Sequence, residues 1–336
     1  MSEVHCSRVT SAEDEAAFAA VSRTDGNALP ANLDGFERMV AFRGDIPAAR
    51  CTCTTVSDLV GAPGRSGLIG HFESLDAHAG IALLDFTARE LARRAVQRIL
   101  GPMNGNTWAS YRLALAAQPC DPQGNPPFFL GEPRNPFEYP AQFIKAGFAE
   151  CAWYESRSYA ISPGELVDDP SSPASIVQRG LVIETLDPSR FEETLIEVYG
   201  LSLEAFADNA YYAPIGAQEF MAAYQPLRPL FDPRLVLLVR DADGALVSFL
   251  LTYPDPLWMP QGKPVRAVIK TIATASRLRG VGIARYLLML IRARAAALGF
   301  SEVIHALMHV ENTSMRLSGE QLSVLFRRYA LFEWRP

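Results

Sequence analysis

Arg277-Leu278-Arg279-Gly280-Val281-Gly282 sets two guanidinium side chains and two glycines directly ahead of Ile283 to Leu298, where Ile283, Tyr286, Leu287, Leu290, Ile291, Ala297 and Leu298 recur at helical spacing. Such a turn can capture an anion. The first amides of a helix lack intrahelical partners and sit at the positive end of its dipole, so they favour phosphate. Glycines let a diphosphate approach the main chain, and Arg277 and Arg279 add positive charge. Arg292 and Arg294 fall toward the helix C-terminus, where the dipole favours cations, and Gly299 is a natural stop.

Two familiar phosphate cradles do not fit. A P-loop needs Gly-Lys-Ser/Thr at the helix start, where this chain has Gly282-Ile283-Ala284. A dinucleotide fingerprint needs a small residue at its last position, where Arg285 stands, and only about fifty residues remain for further βαβ units of about thirty or more. The elements around the turn have a different order. LVIETL alternates as a strand and FEETLIEVYGLSLEAF has helical spacing. RLVLLVRDADGALVSFLLTYPD is a hairpin turning at Asp241 to Gly244. VRAVIKTIATA is the strand entering the glycine turn, SEVIHALMHV the strand after the helix, and a short helix and a strand around VLFRRYALFEW close the chain.

A strand, a glycine turn of this pattern and an amphipathic helix closely resemble the acyl-CoA pyrophosphate loop, Arg/Gln-x-x-Gly-x-Gly/Ala, of the GCN5-related N-acetyltransferase (GNAT) superfamily. The resemblance spans Leu181 to Pro336. It implies an α/β fold with a mixed, mostly antiparallel sheet flanked by helices, and acetyl-CoA as co-substrate. It also implies that the pantetheine and pyrophosphate meet Ile272, Ala273 and Thr274 on the strand. Arg277, Leu278, Arg279, Gly280, Val281, Gly282, Ile283 and Ala284 in the turn, and Asn312 after the next strand, complete the set it implicates.

The first half repeats the order more faintly. CTCTTVSDL and GLIGHFES read as strands, AGIALLDFTARELARRA as a helix, VQRILGPMN as the strand after it and AECAWYESRSY as a closing strand. Asn106-Thr107 and Asn312-Thr313 occupy matching places. Between Glu73 and Ile81, however, the cradle position reads Ser-Leu-Asp-Ala-His-Ala-Gly, with no arginine and an aspartate that repels diphosphate. The expectation is two tandem GNAT-like domains: a degenerate copy at 1–162, a linker at 163–179 and an acyl-CoA-binding copy at 180–336. The Pro-, Ser- and Asp-rich stretch from Ile161 to Gly180 marks the boundary.

Acyl transfer needs a neutral amine, stabilisation of an oxyanion and often a proton for the thiolate. The superfamily commonly supplies that proton from a tyrosine in a Tyr-x-x-x-Gly-Phe-like segment, which this sequence lacks; Tyr329 is the candidate acid by type and neighbourhood. His309 and Glu311, at the end of the expected fifth strand, are candidate bases, with His305 on the same face as His309. A water-mediated route would need neither histidine. Asn209, Tyr211 and Tyr212 are candidates for the acceptor pocket, as are Trp108, Tyr111, Arg112, Glu132 and Tyr139 in two first-half stretches dense in Asn, aromatics and Pro.

The 336 residues, 49% hydrophobic, can fill two domain cores, and a formal charge of -6 argues against a generally basic nucleic-acid surface. The 5 cysteines are odd in number and scattered, which points to reduced thiols and no metal site; Cys51 and Cys53 alternate onto one strand face. With no leader and no membrane-length apolar run, the expected setting is the cytoplasm, with no membrane partner. The acceptor is a small-molecule or peptide amine, and the oligomeric state stays open. The alternatives are a non-catalytic acyl-CoA-binding or regulatory protein, and an aminoacyl transferase using charged tRNA. A fragment starting near Ile176 is expected to keep some CoA affinity and lose turnover.

Overall fold

The structure, a computed structural model, describes residues 3–22, 29–30, 33–161, 173–260, 262–312, 314–316 and 323–336. Most of the expected linker, and Thr313 of the second Asn-Thr pair, lie outside them.

The first half runs β1 (Val4–Arg8), α1 (Ala12–Ala20), β2 (Glu37–Arg43), β3 (Ile46–Leu59), β4 (Ala62–Ser74), α2 (Ala77–Ala92), β5 (Arg98–Gly101), β6 (Leu113–Ala114), α3 (Tyr139–Lys145) and β7 (Ala149–Ala160). The second runs α4 (Ala174–Val177), β8 (Val182–Thr185), α5 (Phe191–Ala205), α6 (Ala217–Tyr224), β9 (Val236–Arg240), β10 (Leu246–Pro254), β11 (Arg266–Thr274), α7 (Ile283–Ala297), β12 (Glu302–His309) and β13 (Val324–Trp334). The repeated order is therefore real. In each half an antiparallel run of four strands (β1 to β4, β8 to β11) leads through a helix to a parallel neighbour (β5, β12).

The closing strands are exchanged. All strands join one 13-stranded sheet in the order β1-β2-β3-β4-β5-β13-β7-β12-β11-β10-β9-β8, with β6 beside β13. The last strand of the second half thus pairs with β5 of the first, and the last strand of the first half pairs with β12 of the second. The two closing strands pair antiparallel at the centre, with Tyr329 opposite Tyr154. The run VLFRRYALFEW suits this place: Leu325 to Arg327 and Tyr329 to Phe332 are all buried, as a strand covered on both faces requires.

Helices cover the sheet on each half. Under α7, Leu287 and Ile291 are fully buried with Leu237, Phe249 and Ala267; each such side chain contributes about 2 kcal/mol. Under α2, Leu83, Leu84 and Leu91 pack on β2 to β4 together with Cys51 and Cys53. Cys51 faces Thr87, so both thiols are core side chains.

Candidate active site

Two bulges open the sheet where β11 and β12 should continue side by side. Their parallel pairing runs from Arg266 opposite Glu302 to Ile269 opposite His305 and ends there. Against β10 the register jumps from Ile269 to Thr271, which makes Lys270 the extra residue of β11. Against β7 the register of β12 slips between His305 and Met308, and Leu307 takes a left-handed φ of 57°. Bulges bend strands and re-aim side chains. With both at one level, β11 and β12 part, and the β12-facing edge of β11 from Lys270 onward has no strand partner among the described residues. Side chains pin the second bulge: the Leu307 amide donates to Ser156 Oγ at 3.0 Å, and Arg112 Nη1 donates to the Leu307 carbonyl at 3.2 Å.

The opening is a cleft of about 250 Å³. Lys270, Thr271 and Ile272 line it from β11, His305 to His309 from β12, Asn312 beyond, Asn209 and Tyr212 from the α5–α6 connection, Trp108 and Tyr111 from the first half, and Tyr154 from β7. A chamber of about 320 Å³ continues past Lys270, Ala306 and Leu307 and is lined by Trp108 to Arg112, Phe129 to Gly131 and Tyr253. Trp108 explains how the first half reaches in: its indole N–H donates to the Ala213 carbonyl at 3.0 Å, and its ring packs against Phe206, Tyr212 and Phe220.

At its outer end β11 leads into the glycine turn. Gly280 and Gly282 have φ of 81° and 95°, a region where a side chain is strained, and a Cβ at either would meet nothing within 4 Å. Gly282 is the N-cap of α7 and provides no side-chain cap, so the first amides of the helix stay open to an anion. Ala273 and Thr274 are tied to Ser248 on β10, the first through its carbonyl at 2.7 Å and the second hydroxyl to hydroxyl at 2.9 Å. The arginines act differently from the expected free charges. Arg277 pairs with Asp241 at 2.6 Å, and Arg279 donates to the Ala205 carbonyl at 2.9 Å with Asp208 at 3.8 Å. They clamp the turn to the hairpin and to α5, which leaves main-chain amides as the open donors at the start of α7.

The first half shows the same device closed. The register of β4 slips beside His71, which has φ of 48°, but the split is stitched: the Met103 amide donates to the Ile69 carbonyl at 2.8 Å and the His71 amide to Asn104 Oδ1 at 2.7 Å. Asp76 caps α2 itself, accepting from the Ala79 amide at 2.9 Å and pairing with Arg43. Gln142 Oε1 and Ser74 Oγ fill the space beside Gly80. The carboxylate that the sequence places at this position occupies the site an anion would use.

Among the residues expected to do chemistry, His309 lines the cleft edge-on to Tyr154, with ring centroids 5.0 Å apart, and its Nδ1 accepts the Glu311 amide at 3.2 Å. Nδ1 is therefore unprotonated in this arrangement, which leaves Nε2 as the protonated nitrogen of the neutral ring. Burial holds the imidazole below its usual pKa; the nearby Glu311 carboxylate opposes this and Arg112 adds to it. His305 also lines the cleft, and burial brings it down to about 4. Glu311 lies in the exposed turn after β12.

Tyr329 is elsewhere. It is fully buried in the exchanged strand, with its hydroxyl 2.5 Å from Glu132 Oε1 and 2.9 Å from Ser156 Oγ. It does not line the cleft, and burial beside the Glu132 carboxylate pushes its pKa far up. The expected acid instead joins Glu132 to Ser156 in a buried network. Glu132, expected at the acceptor, is the hub of the same buried network: it accepts from Arg327 Nε at 2.6 Å and from the Phe129 amide at 3.0 Å. Through Ser156 this network reaches the Leu307 bulge. Tyr139 is also displaced from the cleft; it is buried in the first half, donating to Glu73 at 2.8 Å. Tyr211 turns toward the first half, where its amide donates to Val60.

Sequence reasoning missed Lys270, Tyr154, Tyr224 and Leu307. Lys270 had a signal, being a second charge in VRAVIKTIATA, beyond Arg266 and in the middle of the otherwise uncharged run to Ala275. Its ammonium lies 4.9 Å from the Tyr224 ring centroid. Tyr154 had none, because only the strand exchange brings it to β12.

Residues 199–317 match the model of the acetyltransferase (GNAT) family. No curated protein sequence matches the chain. Among solved structures, the chain is similar to a GCN5-related N-acetyltransferase from Sphaerobacter thermophilus, with TM-score 0.53 and 15% identity over 91% of this chain and 82% of that one. A tandem GNAT protein from the clavulanic acid biosynthesis pathway matches with TM-score 0.54 and 14% identity over 99% and 98% of the two chains. A probable N-acyltransferase from Enterococcus faecalis V583 gives TM-score 0.57 and 10% identity over 99% and 72%. These likenesses define the fold. Residues 199–317 carry a GNAT domain, and the chain as a whole has the tandem GNAT fold. No helix among the described residues is long and apolar enough to cross a membrane.

Proposed function

We propose that the protein is a CoA-dependent N-acyltransferase that moves an acetyl group from acetyl-CoA to an amine. One observation carries the reading: the parted edge of β11 runs directly into an uncapped helix N-terminus with two open glycines. An extended pantetheine arm can pair along such an edge as an added strand does, ending with its diphosphate on the α7 amides. On this reading Ile272, Ala273 and Thr274 flank the arm, Arg277 to Ala284 hold the diphosphate, and Asn312 closes the far wall. Residues 1–162 and 180–336 are two copies of one unit joined by 163–179, and the first has lost its anion site. A cytosolic setting fits 5 free thiols.

The amine enters through the chamber beside Trp108 to Arg112. Its nitrogen attacks the thioester carbonyl, a C–N bond forms, and collapse of the tetrahedral intermediate breaks the C–S bond. His309, neutral because burial lowers its pKa, takes the amine proton directly or through water. Its acceptor nitrogen, Nδ1, is freed for this by releasing the Glu311 amide. Tyr212 is the acid candidate: it lines the cleft, its buried hydroxyl has no partner among the described residues, and burial keeps it protonated. The test is thiol release from acetyl-CoA with pooled amines, run beside calorimetry of acetyl-CoA binding. Release with at least one amine supports the reading. Binding without release identifies a non-catalytic acyl-CoA-binding protein, and no binding overturns the site.

A further inference from the structure

Arg112 is buried to 9% exposure, yet it has no carboxylate partner among the described residues. Arg266 and Arg327, buried as deeply, each hold one: Arg266 pairs with Glu302 at 2.6 Å and Arg327 with Glu132 at 2.6 Å. Arg112 instead has its guanidinium carbon 3.9 Å from the Tyr111 ring centroid and 4.2 Å from that of Tyr154. Nη1 donates to the Leu307 carbonyl, and Nε is buried without an acceptor. A buried cation with an idle donor is costly unless an anion completes it. The backbone holds the side chain there at φ of 72°, a left-handed value that a non-glycine residue adopts rarely.

The position of the guanidinium indicates what completes it. Arg112 lines the chamber next to the cleft and a second chamber of about 470 Å³ in the first half, but not the cleft itself. An anion meeting it comes with the acceptor rather than with the acyl donor. No carboxylate among the described residues lines the chamber next to the cleft, and the one lining the second chamber, Glu219, is exposed and accepts from Asn106 Nδ2 at 3.3 Å. Building on the transferase reading, we infer that the acceptor is an amine bearing a carboxylate, an amino acid or an acid of similar shape. The carboxylate docks on Arg112 and the amine points past Leu307 toward the thioester. Two tyrosine faces and a fixed backbone hold the guanidinium in one orientation, which suits bidentate recognition of a planar acid.

The experiment compares pooled L-amino acids with the corresponding amino-acid amides in the thiol-release assay. The wild-type protein should prefer the acids by about tenfold or more in kcat/KM. In Arg112→Gln, which can still donate to Leu307, the preference should fall toward unity while acetyl-CoA affinity by calorimetry stays as in the wild type. Equal use of acids and amides by the wild type overturns the inference and leaves the transferase reading standing. Release with amines outside both pools, and with neither acids nor amides, does the same. No release with any amine removes both. Because the wild-type comparison stands alone, an Arg112→Gln protein that fails to fold does not blunt the test.

Discussion

Gly282→Asp separates anion binding from helix stability. At φ of 95° a non-glycine residue costs about 1 kcal/mol, with aspartate among the better tolerated. Position 282 has a left-handed backbone, unlike the extended backbone from which Asp76 caps α2, so no cap offsets this strain and the melting temperature should fall by a few degrees, equally in Gly282→Asp and Gly282→Ala. Affinity should respond differently. The new carboxylate repels the diphosphate from within about 5 Å. At an effective dielectric near 20 the repulsion is about 3 kcal/mol per charge pair before screening, and a floor of about 1.4 kcal/mol after screening is a tenfold loss. Gly282→Ala brings the strain without the charge and should lose stability with a much smaller change in affinity. Calorimetry of acetyl-CoA on the three proteins, each with its melting curve, gives both quantities, and wild type should bind one acetyl-CoA per chain because Asp76 closes the first-half site. A folded Gly282→Asp protein that binds within about twofold of wild type would refute the cradle, and two equivalent sites would refute the closure.

Tyr329→Phe should cost about 1–3 kcal/mol of stability, because it removes the hydroxyl joining Glu132 to Ser156; Tyr212→Phe should leave stability nearly unchanged and lower kcat instead. Loss of the alkaline limb of the pH–rate profile in Tyr329→Phe alone would restore the former as the acid. With His309 as the proposed base, active when neutral and held by burial below the ordinary histidine value of about 6.5, kcat/KM should hold through neutrality and fall only as pH drops through that lowered pKa. An acid limb unchanged in His309→Gln would exclude it. A fragment starting near Ile176 should not fold as a monomer, contrary to the expectation from sequence, because it loses β7, which pairs with both β12 and β13. A cooperative melt and a monomeric mass for that fragment would contradict this.

The parts of the site that were legible from sequence are those that neighbours in the chain settle. Gly280 and Gly282 ahead of an apolar stripe specify an open helix N-terminus, since capping and the dipole act within the first turn. Asp76 closes the matching terminus in the first half by the same local rule. The Asp241 to Gly244 turn and the repeated element order likewise follow from turn chemistry and periodicity.

What the sequence left open are choices among distant partners. Alternation tells which face of a strand is buried but not which strand lies beside it, so nothing in AECAWYESRSY or VLFRRYALFEW announces that the two closing strands cross between the halves. That exchange moved Tyr329 from the expected acid position into a buried network with Glu132, and it brought Tyr154 to His309. Where β11 and β12 part depends on bulges at Lys270 and Leu307, and a bulge is fixed by the register of both neighbouring strands and by Ser156 and Arg112. The sequence by itself determined the uncapped glycine turn ahead of α7 and the aspartate cap ahead of α2, because those energies are local. Only the tertiary structure decided which side chains face the cleft, because pairing register and burial are set by residues far away in the chain.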